Sequence, residues 1–311
     1  MSLSSSTGDK IAILKKGKKS IPIHLNPEHD AMDEKLTEYA DIPIDVCNEY
    51  IKTLKLKDYR LQELKRCLRN DVTPSNDDEL RTYYVKCRDI IKSNKSKLFE
   101  ISKHDDDSMQ LFPVPHGYYN LFVSGPSGAG KSYFISQWLT DIKTPKSQIY
   151  VFSKVQDDPA YKPLHPVYIK LDDSIIVRPL DCTEFAGTDT SPNILVFDDT
   201  EQLNNASLSK ALFQFMSLVL ETGRHKHLRC IVVSHILLNS SYTKRPLNES
   251  NYITLFPNSN FAQIRSYLHR YLGYTKEQIN AVRDMGKTSR WIMISRSYPQ
   301  YIVSQYQIRL M

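Results

Sequence analysis

From residue 117 onward, short runs of apolar residues alternate with stretches in which apolar residues recur at helical spacing. A short apolar run bounded by polar residues is typical of a buried strand, and the wider spacing is typical of an amphipathic helix. Because strands and helices that alternate along a chain form mainly parallel sheets, the pattern predicts an α/β domain over residues 117–311, with helices flanking the sheet. The clearest apolar runs lie at residues 118–124, 148–152, 193–197 and 228–234.

The first third of the chain has a different pattern. Residues 1–30 are polar and basic, with a lysine cluster at Lys15–Lys19. This composition predicts a solvated or disordered arm, and an arm that contacts DNA or carries a targeting signal is the alternative. Residues 31–110 are strongly charged, but Leu64 and Leu68 belong to a set of apolar residues at helical spacing. We therefore predict an N-terminal helical region that is appended to the α/β domain.

Composition narrows the classes of protein to which the chain can belong. With 311 residues, of which 41% are hydrophobic, it can bury a full core. No apolar run is long enough to span a membrane and the polar start lacks a signal-peptide pattern, so we expect no membrane span. The five cysteines are scattered without C-x-x-C spacing, which favours reduced thiols inside a cell over a disulfide framework. The net charge of +6 permits a nucleic-acid partner without requiring one.

One segment fits the G-x-x-x-x-G-K-[ST] pattern of a phosphate-binding loop, and it lies between a predicted strand and a predicted helix. Glycines let the backbone bend around a phosphate, and successive N–H groups at the helix N-terminus then point at the anion. Lys131 is expected to reach the β- and γ-phosphates of ATP, and the hydroxyl of Ser132 is expected to coordinate Mg²⁺. The predicted nucleotide-binding residues are Gly125, Pro126, Ser127, Gly128, Ala129, Gly130, Lys131 and Ser132.

Two adjacent acids follow the predicted strand at residues 193–197. In open α/β sheets ligands bind at the carboxyl ends of the strands, so Asp198 and Asp199 are expected to face the nucleotide. Asp198 is predicted to hold Mg²⁺, mostly through water, and Asp199 to orient or deprotonate the attacking water. Glu201 is a second candidate for this base.

The next predicted strand ends in Ser234 and His235, and Arg224 lies just before it. His235 is either a sensor near the γ-phosphate or a histidine whose polar atoms are satisfied at a strand end. Arg224 is either an arginine finger that reaches the γ-phosphate held by a neighbouring subunit, or a solvated cation that suits the C-terminus of a helix. Both are candidate catalytic residues, together with Lys131 and Asp199.

In combination and order, these motifs resemble the poxvirus-type genome-packaging ATPases of large DNA viruses and virophages, a branch of the FtsK–HerA group of P-loop DNA translocases. The paired aspartates are typical of that family, whereas His235 occupies a position at which the family commonly has glutamine. Arg245 and Asn248 fall at a polar motif that faces either the nucleotide or the neighbouring subunit. The resemblance covers about residues 118–295 and rests on Leu121–Ser132, Ile194–Asp199, Gly223–Ser234 and Lys244–Phe256.

The resemblance implies a RecA/FtsK-like ATPase that uses ATP and Mg²⁺ to move double-stranded DNA into a preformed capsid. It also implies a homo-oligomeric ring, either a hexamer or a pentamer, with Arg224 acting in trans, capsid proteins as partners, and a location at the viral assembly site in the host cell or in the virion. One alternative is a related translocase or helicase in replication or transfer. Another is a nucleotide-binding structural adaptor at a capsid vertex, which Asp199 in place of the more usual Glu leaves open.

Overall fold

The computed structural model describes residues 2–26, 34–37, 39, 47–70, 72–75, 77–94, 100–102, 109–115, 117–238, 242–258 and 261–311. The chain divides into two compact units, and the division does not follow the chain continuously. The first unit contains residues 1–10 and 21–107, and the second contains residues 11–20 and 108–311.

Strands and helices occupy most of the described residues. The strands are β1 (Ser2–Ser4), β2 (Asp9–Lys16), β3 (Lys19–Asn26), β4 (Glu100–Ser102), β5 (Met109–Pro113), β6 (Asn120–Ser124), β7 (Ile149–Ser153), β8 (Val167–Ile169), β9 (Asn193–Asp198), β10 (Leu228–Ser234), β11 (Tyr252–Leu255), β12 (Ile292–Ser295), β13 (Tyr301–Ser304) and β14 (Gln307–Leu310). The helices are α1 (Glu34–Thr37), α2 (Asn48–Thr53), α3 (Asp58–Asn70), α4 (Asp78–Asn94), α5 (Lys131–Ile142), α6 (Ser174–Val177), α7 (Ala206–Thr222), α8 (Lys244–Glu249), α9 (Phe261–Leu272) and α10 (Lys276–Thr288).

In the first unit, α2, α3 and α4 enclose a small apolar core. Arg60 of α3 forms ion pairs with Asp77 at 2.6 Å and Glu79 at 3.0 Å, at the start of α4. The predicted helical region, residues 31–110, thus contains α1 to α4, but it also contains β4 and the start of β5. Residues 31–33, 38, 40–46, 71, 76, 95–99 and 103–108 of that region lie outside the described residues. The buried core residues are Cys47, Ile51, Leu64, Cys67, Leu68, Leu80, Tyr84 and Cys87.

The prediction of a solvated arm over residues 1–30 is wrong for residues 2–26, which form three strands. Within the first unit β1 pairs antiparallel with β3, and within the second unit β2 pairs antiparallel with β5. The lysine cluster lies at the end of β2 and in the turn at Gly17, which has a φ of 56°. Lys15 is held there by Asp141 at 3.1 Å and lies 4.1 Å from the ring centre of Phe112. The lysines at both ends of the turn dominate the local composition, and the buried apolar positions of these strands were therefore not recognised as a strand pattern.

The second unit contains a sheet with the order β14–β13–β12–β11–β6–β10–β9–β7–β8. The run from β11 to β8 is parallel throughout, whereas β12, β13 and β14 each pair antiparallel with the preceding strand. Helices separate most of the parallel strands along the chain, as parallel crossovers require. The predicted α/β fold with a mainly parallel sheet is therefore confirmed.

Strand register brings the predicted motifs to one edge of the sheet. Ser124 at the end of β6 lies opposite Ser234 at the end of β10, and Val233 lies opposite Asp198 at the end of β9. The strand β10 therefore separates the phosphate loop from the two aspartates and places His235 between them.

Buried aromatic side chains fix the elements that carry these motifs. Phe152 of β7 stacks on Phe197 of β9 with ring centres 4.7 Å apart. Trp138 of α5 is 2% exposed and donates its indole N–H to the carbonyl of Pro113 at 2.9 Å. Truncation of such a side chain to alanine typically costs about 3–5 kcal/mol, so these contacts hold α5 and β9 firmly in place. Of the helices in the described ranges, none is both long and apolar enough to span a membrane.

Candidate active site

The phosphate loop connects β6 to α5, as predicted, and its glycines are required for two different reasons. Gly128 and Gly130 have φ values of 74° and 99°, in the left-handed region that side chains with a β-carbon rarely adopt. Gly125 is needed for space, because a β-carbon there would lie 2.9 Å from the Phe256 ring. The loop thus bends next to the N-terminus of α5, where an anion is favoured.

Lys131 folds back into this loop and is only 6% exposed. Its ammonium group donates hydrogen bonds to the carbonyls of Gly125 at 2.9 Å and Pro126 at 3.2 Å. Burial lowers the pKa of Lys131, and the nearby carboxylates of Asp199 and Asp198 oppose that shift by favouring the charged form. The site therefore holds its cation next to the expected position of the phosphates.

Asp198 lies at the end of β9, where the Tyr161 hydroxyl donates a hydrogen bond to its carboxylate at 3.1 Å. The same hydroxyl interacts with the Ser132 side chain, so Tyr161 links the two predicted magnesium ligands. Burial, and then the charge of Asp199, raise the pKa of Asp198 to about 6. A hydroxyl and a buried carboxylate with a raised pKa suit a hard divalent cation, whose charge favours the ionised form. The residues present thus fit Mg²⁺.

A hydrogen-bonded chain connects the loop lysine to Asp199 through His235. The Lys131 ammonium lies 3.1 Å from Nδ1 of His235, and Nε2 of His235 lies 2.8 Å from a carboxylate oxygen of Asp199. Because an ammonium group only donates, Nδ1 accepts, and the proton on Nε2 is donated to Asp199. His235 is therefore assigned as the neutral Nε2–H tautomer. The structure brings three of the four predicted catalytic residues together.

Asp199 has two features that distinguish it from the neighbouring acids. Its φ is 52°, a left-handed conformation that Asp adopts more readily than most residues other than glycine. Its second carboxylate oxygen, Oδ1, is buried and has no hydrogen-bond partner among the described residues. Within the described part of the chain, Oδ1 is thus the carboxylate oxygen of Asp199 that keeps no donor beside the phosphate loop.

Glu201, the alternative base, is fully engaged in the structure. One of its oxygens accepts from the Ser234 hydroxyl at 2.6 Å, and the other accepts from the backbone N–H of His235 at 3.0 Å. These two bonds anchor the end of β10. Since both carboxylate oxygens are occupied, the geometry favours Asp199 over Glu201 as the base.

Arg224 lies at the opposite edge of the sheet. It belongs to the turn at Gly223–Lys226 that precedes β10, and β10 has a length of roughly 20 Å at about 3.3 Å per residue. The exposed Arg224 side chain therefore cannot reach the nucleotide site of its own chain. In the part of the chain that the structure describes, no carboxylate forms an ion pair with Arg224, and its Nε donates to His225 at 3.3 Å.

Arg245 differs from Arg224 because Glu221 neutralises it in an ion pair. Asn248 is exposed on the same helix, α8, and its carbonyl accepts a hydrogen bond from Arg296 at 2.9 Å. Arg224 and Arg245 are the two candidates for a role in a neighbouring subunit. Of these two, only Arg224 is without an ion pair to a carboxylate among the described residues, so its charge is not neutralised within its own chain.

The sequence interpretation missed Tyr161, which contacts the site, and Arg290, whose side chain lies beside the phosphate loop. Tyr161 lies in an irregular segment between β7 and β8, and Arg290 lies just before β12. Neither residue belongs to a motif, and each contact depends on how distant segments pack. A basic residue close to the start of a predicted strand is the only signal that the sequence contains for Arg290.

No family model matches the chain. Protein V3 of the Sputnik virophage is 31% identical over 199 residues, which are 62% of this chain and 78% of the virophage protein. The chain belongs to the same family as this virophage protein. Its membership confirms the family resemblance that was predicted from the motifs.

Solved structures with a similar fold include two nucleotide-bound proteins. The genome packaging NTPase B204 of Sulfolobus turreted icosahedral virus 2, in complex with AMPPCP, is 14% identical, with a TM-score of 0.36 over 62% of this chain and 97% of its own. The pCW3 conjugation coupling protein TcpA, with ATPgS, is 12% identical, with a TM-score of 0.38 over 65% of this chain and 62% of its own.

Proposed function

We propose that the chain is an ATPase that drives double-stranded DNA into a viral capsid. The observation that carries the ATPase part is the hydrogen-bonded chain from Lys131 through His235 to Asp199, which lies beside a phosphate loop. This arrangement supports the proposal, because the residues proposed as cation, polar sensor and base lie within hydrogen-bonding distance of one another. The step from ATPase to genome packaging is supported by the resemblance of the motifs to viral genome-packaging ATPases, together with kinship to a virophage protein.

In the proposed reaction, the loop N–H groups and Lys131 bind the phosphates, and Ser132 and Asp198 hold Mg²⁺. When bound, the ion would neutralise part of the charge of the phosphates. Asp199 accepts a proton from water as the water oxygen bonds to the γ-phosphorus, and the bond from that phosphorus to the bridging oxygen of ADP breaks. His235 donates to Asp199 and accepts from Lys131, so it detects whether the lysine has moved onto a phosphate.

The proposed motor is a homo-oligomeric ring, a hexamer or a pentamer, in which Arg224 of one subunit completes the site of the next. An added cation stabilises the charge of the transition state, and hydrolysis then depends on the neighbour. DNA contacts are expected mainly with phosphates and are therefore salt-sensitive. Capsid proteins are the other proposed partners, and the place of action is the assembly site in the host cell or the virion.

The first test of this function is ATP hydrolysis with and without duplex DNA. We expect duplex DNA to stimulate hydrolysis several-fold at low salt, and the stimulation to fall as salt rises because phosphate contacts release counterions. Binding of nucleotide with negligible hydrolysis in the presence of DNA would favour the structural-adaptor alternative. Stimulation accompanied by separation of duplex strands would favour the helicase.

The replacement Asp199→Asn tests the assignment of the base. We expect kcat to fall about 10²–10⁴-fold, since general-base catalysis typically contributes that much, while affinity for ATP changes little. Phosphate release gives kcat, and equilibrium titration with a fluorescent ATP analogue gives the affinity.

The comparison variant is Glu201→Gln, which removes one of the two acceptors at the end of β10 but leaves Asp199 in place. It is expected to lower the thermal midpoint and to reduce kcat less than 10-fold. A loss of kcat with Glu201→Gln that equals the loss with Asp199→Asn would contradict the assignment.

A further inference from the structure

Arg290 lies at the edge of the sheet that carries the phosphate loop. Ser124 at the end of β6 is paired with Leu255 of β11, and Leu255 is paired with Ile292, the first residue of β12. Since β12 runs antiparallel to β11, the residues that precede β12 share an edge with the residues that follow β6. Arg290, two positions before Ile292, is therefore close to the loop although 158 residues separate it from Ser132 along the chain.

The Arg290 side chain extends to the loop itself. A β-carbon on Gly130 would lie 3.6 Å from one terminal nitrogen of the guanidinium and 3.9 Å from its central carbon. Gly130 immediately precedes Lys131 and α5, so the guanidinium lies beside the N-terminus of that helix. Among the residues that the structure describes, no carboxylate forms an ion pair with Arg290, and its side chain is exposed.

The backbone around Arg290 is held in place from two sides. Its N–H donates to the side chain of Gln305 at 2.8 Å, and the Ser289 hydroxyl donates to the carbonyl of Trp291 at 2.6 Å. The Trp291 ring packs on Phe134 of α5 with ring centres 4.9 Å apart. The backbone at Arg290 is thus packed against the same helix whose N-terminus its side chain approaches.

We propose that Arg290 binds the α- and β-phosphates of the nucleotide held by the phosphate loop of its own subunit; this inference rests on the proposed function. The order of the strands in the sheet indicates which phosphates Arg290 binds. Asp198 and His235 follow β9 and β10, on one side of β6, whereas Arg290 precedes β12, on the other side. The γ-phosphate faces the hydrolytic residues, so an arginine from the opposite side meets the phosphates that stay with ADP.

This placement gives Arg290 a different effect from that of Lys131, Asp199 or Arg224. Most of the charge on the α- and β-phosphates is already present in the ground state, and only a part is added to the β-phosphate as the bridging oxygen leaves, so a contact with them contributes mainly to binding. Such largely uniform binding lowers KM with little effect on kcat. A guanidinium also matches two phosphate oxygens with its fork of N–H donors, which a lysine ammonium does not reproduce.

The experiment measures the Kd for ADP and for ATP, with Mg²⁺, in Arg290→Gln and Arg290→Lys. Arg265→Gln is the matched control, because Arg265 is an exposed arginine of the same unit, in α9. We expect Arg290→Gln to raise both Kd values about 10-fold, because it removes a charge-assisted hydrogen bond to the phosphates. The kcat at saturating ATP should stay within about 2-fold of that of the unmodified protein. Arg290→Lys should recover part of the affinity, and Arg265→Gln should leave it unchanged.

The outcomes separate this inference from the proposed function. If the unmodified protein binds no nucleotide, the proposed function fails and the inference fails with it. If it binds nucleotide but Arg290→Gln has unchanged Kd values, or if Kd rises for ATP and not for ADP, the inference alone is overturned. Because the side chain is exposed, the variant is expected to keep the thermal midpoint of the unmodified protein.

Discussion

ATP hydrolysis is expected to fall at least about 100-fold when Lys131 is replaced by alanine, and nucleotide affinity is expected to fall about 10-fold. The ammonium group is the buried cation of the phosphate loop, and its removal leaves the developing charge on the γ-phosphate without a partner. Removal of the ammonium group also leaves three acceptors without their donor: the carbonyls of Gly125 and Pro126, and Nδ1 of His235. Phosphate release at saturating Mg²⁺ and ATP measures the loss.

Lys146→Ala is the matched control for Lys131→Ala. Lys146 is an exposed lysine just beyond α5, so its removal takes the same charge from the same unit without touching the loop. Turnover should be unchanged in the control. If Lys131→Ala keeps the turnover of the unmodified protein, the chain does not hydrolyse ATP at this loop.

Arg224→Ala is expected to abolish hydrolysis while ATP binding is retained. An arginine finger typically contributes 10³–10⁵-fold to kcat, because it stabilises charge that develops only in the transition state. Arg224 lies roughly 20 Å from the site of its own chain along β10, so this effect requires a neighbouring subunit. The comparison of kcat with the Kd for an ATP analogue gives the measurement.

A mixing experiment decides whether the arginine acts in trans. Subunits with Arg224→Ala keep an intact site, and subunits with Lys131→Ala keep an intact arginine. A mixture of the two should recover part of the activity that each lacks alone. Lys226→Ala, an exposed cation in the same turn, is the control and should retain activity. No recovery in the mixture, or a loss with Arg245→Ala in place of Arg224→Ala, would contradict the trans role of Arg224.

The parts of the site that the sequence predicted are those that local chemistry determines. A phosphate loop needs glycines at left-handed positions, and Gly128 and Gly130 occupy such positions. The acids at the end of β9 follow from the rule that ligands bind at the carboxyl ends of parallel strands. The sequence favours Asp199 but keeps Glu201 as a second candidate, because the engagement of Glu201 depends on hydrogen bonds from Ser234 and His235 at the end of another strand.

The parts that the sequence did not predict depend on pairing between distant segments. Arg290 approaches Gly130 only because β12 pairs antiparallel with β11, and neither the register nor the direction of that pairing is encoded by a local motif. The strands within residues 2–26 were missed for a related reason. Their lysines resemble those of a solvated arm, whereas Lys15 packs on Phe112 and pairs with Asp141, far away in the sequence.

Movement along intact duplex DNA is the property that separates a double-stranded DNA translocase, as a packaging motor must be, from a helicase and from a structural adaptor. The direct measurement is displacement of a third strand from a triplex by the assembled protein, with ATP, on a DNA whose two duplex strands carry separate labels. We expect ATP-dependent release of the third strand, with the duplex strands remaining paired, and no release with Lys131→Ala. Hydrolysis of ATP without release of the third strand, or separation of the duplex strands, would contradict a packaging motor.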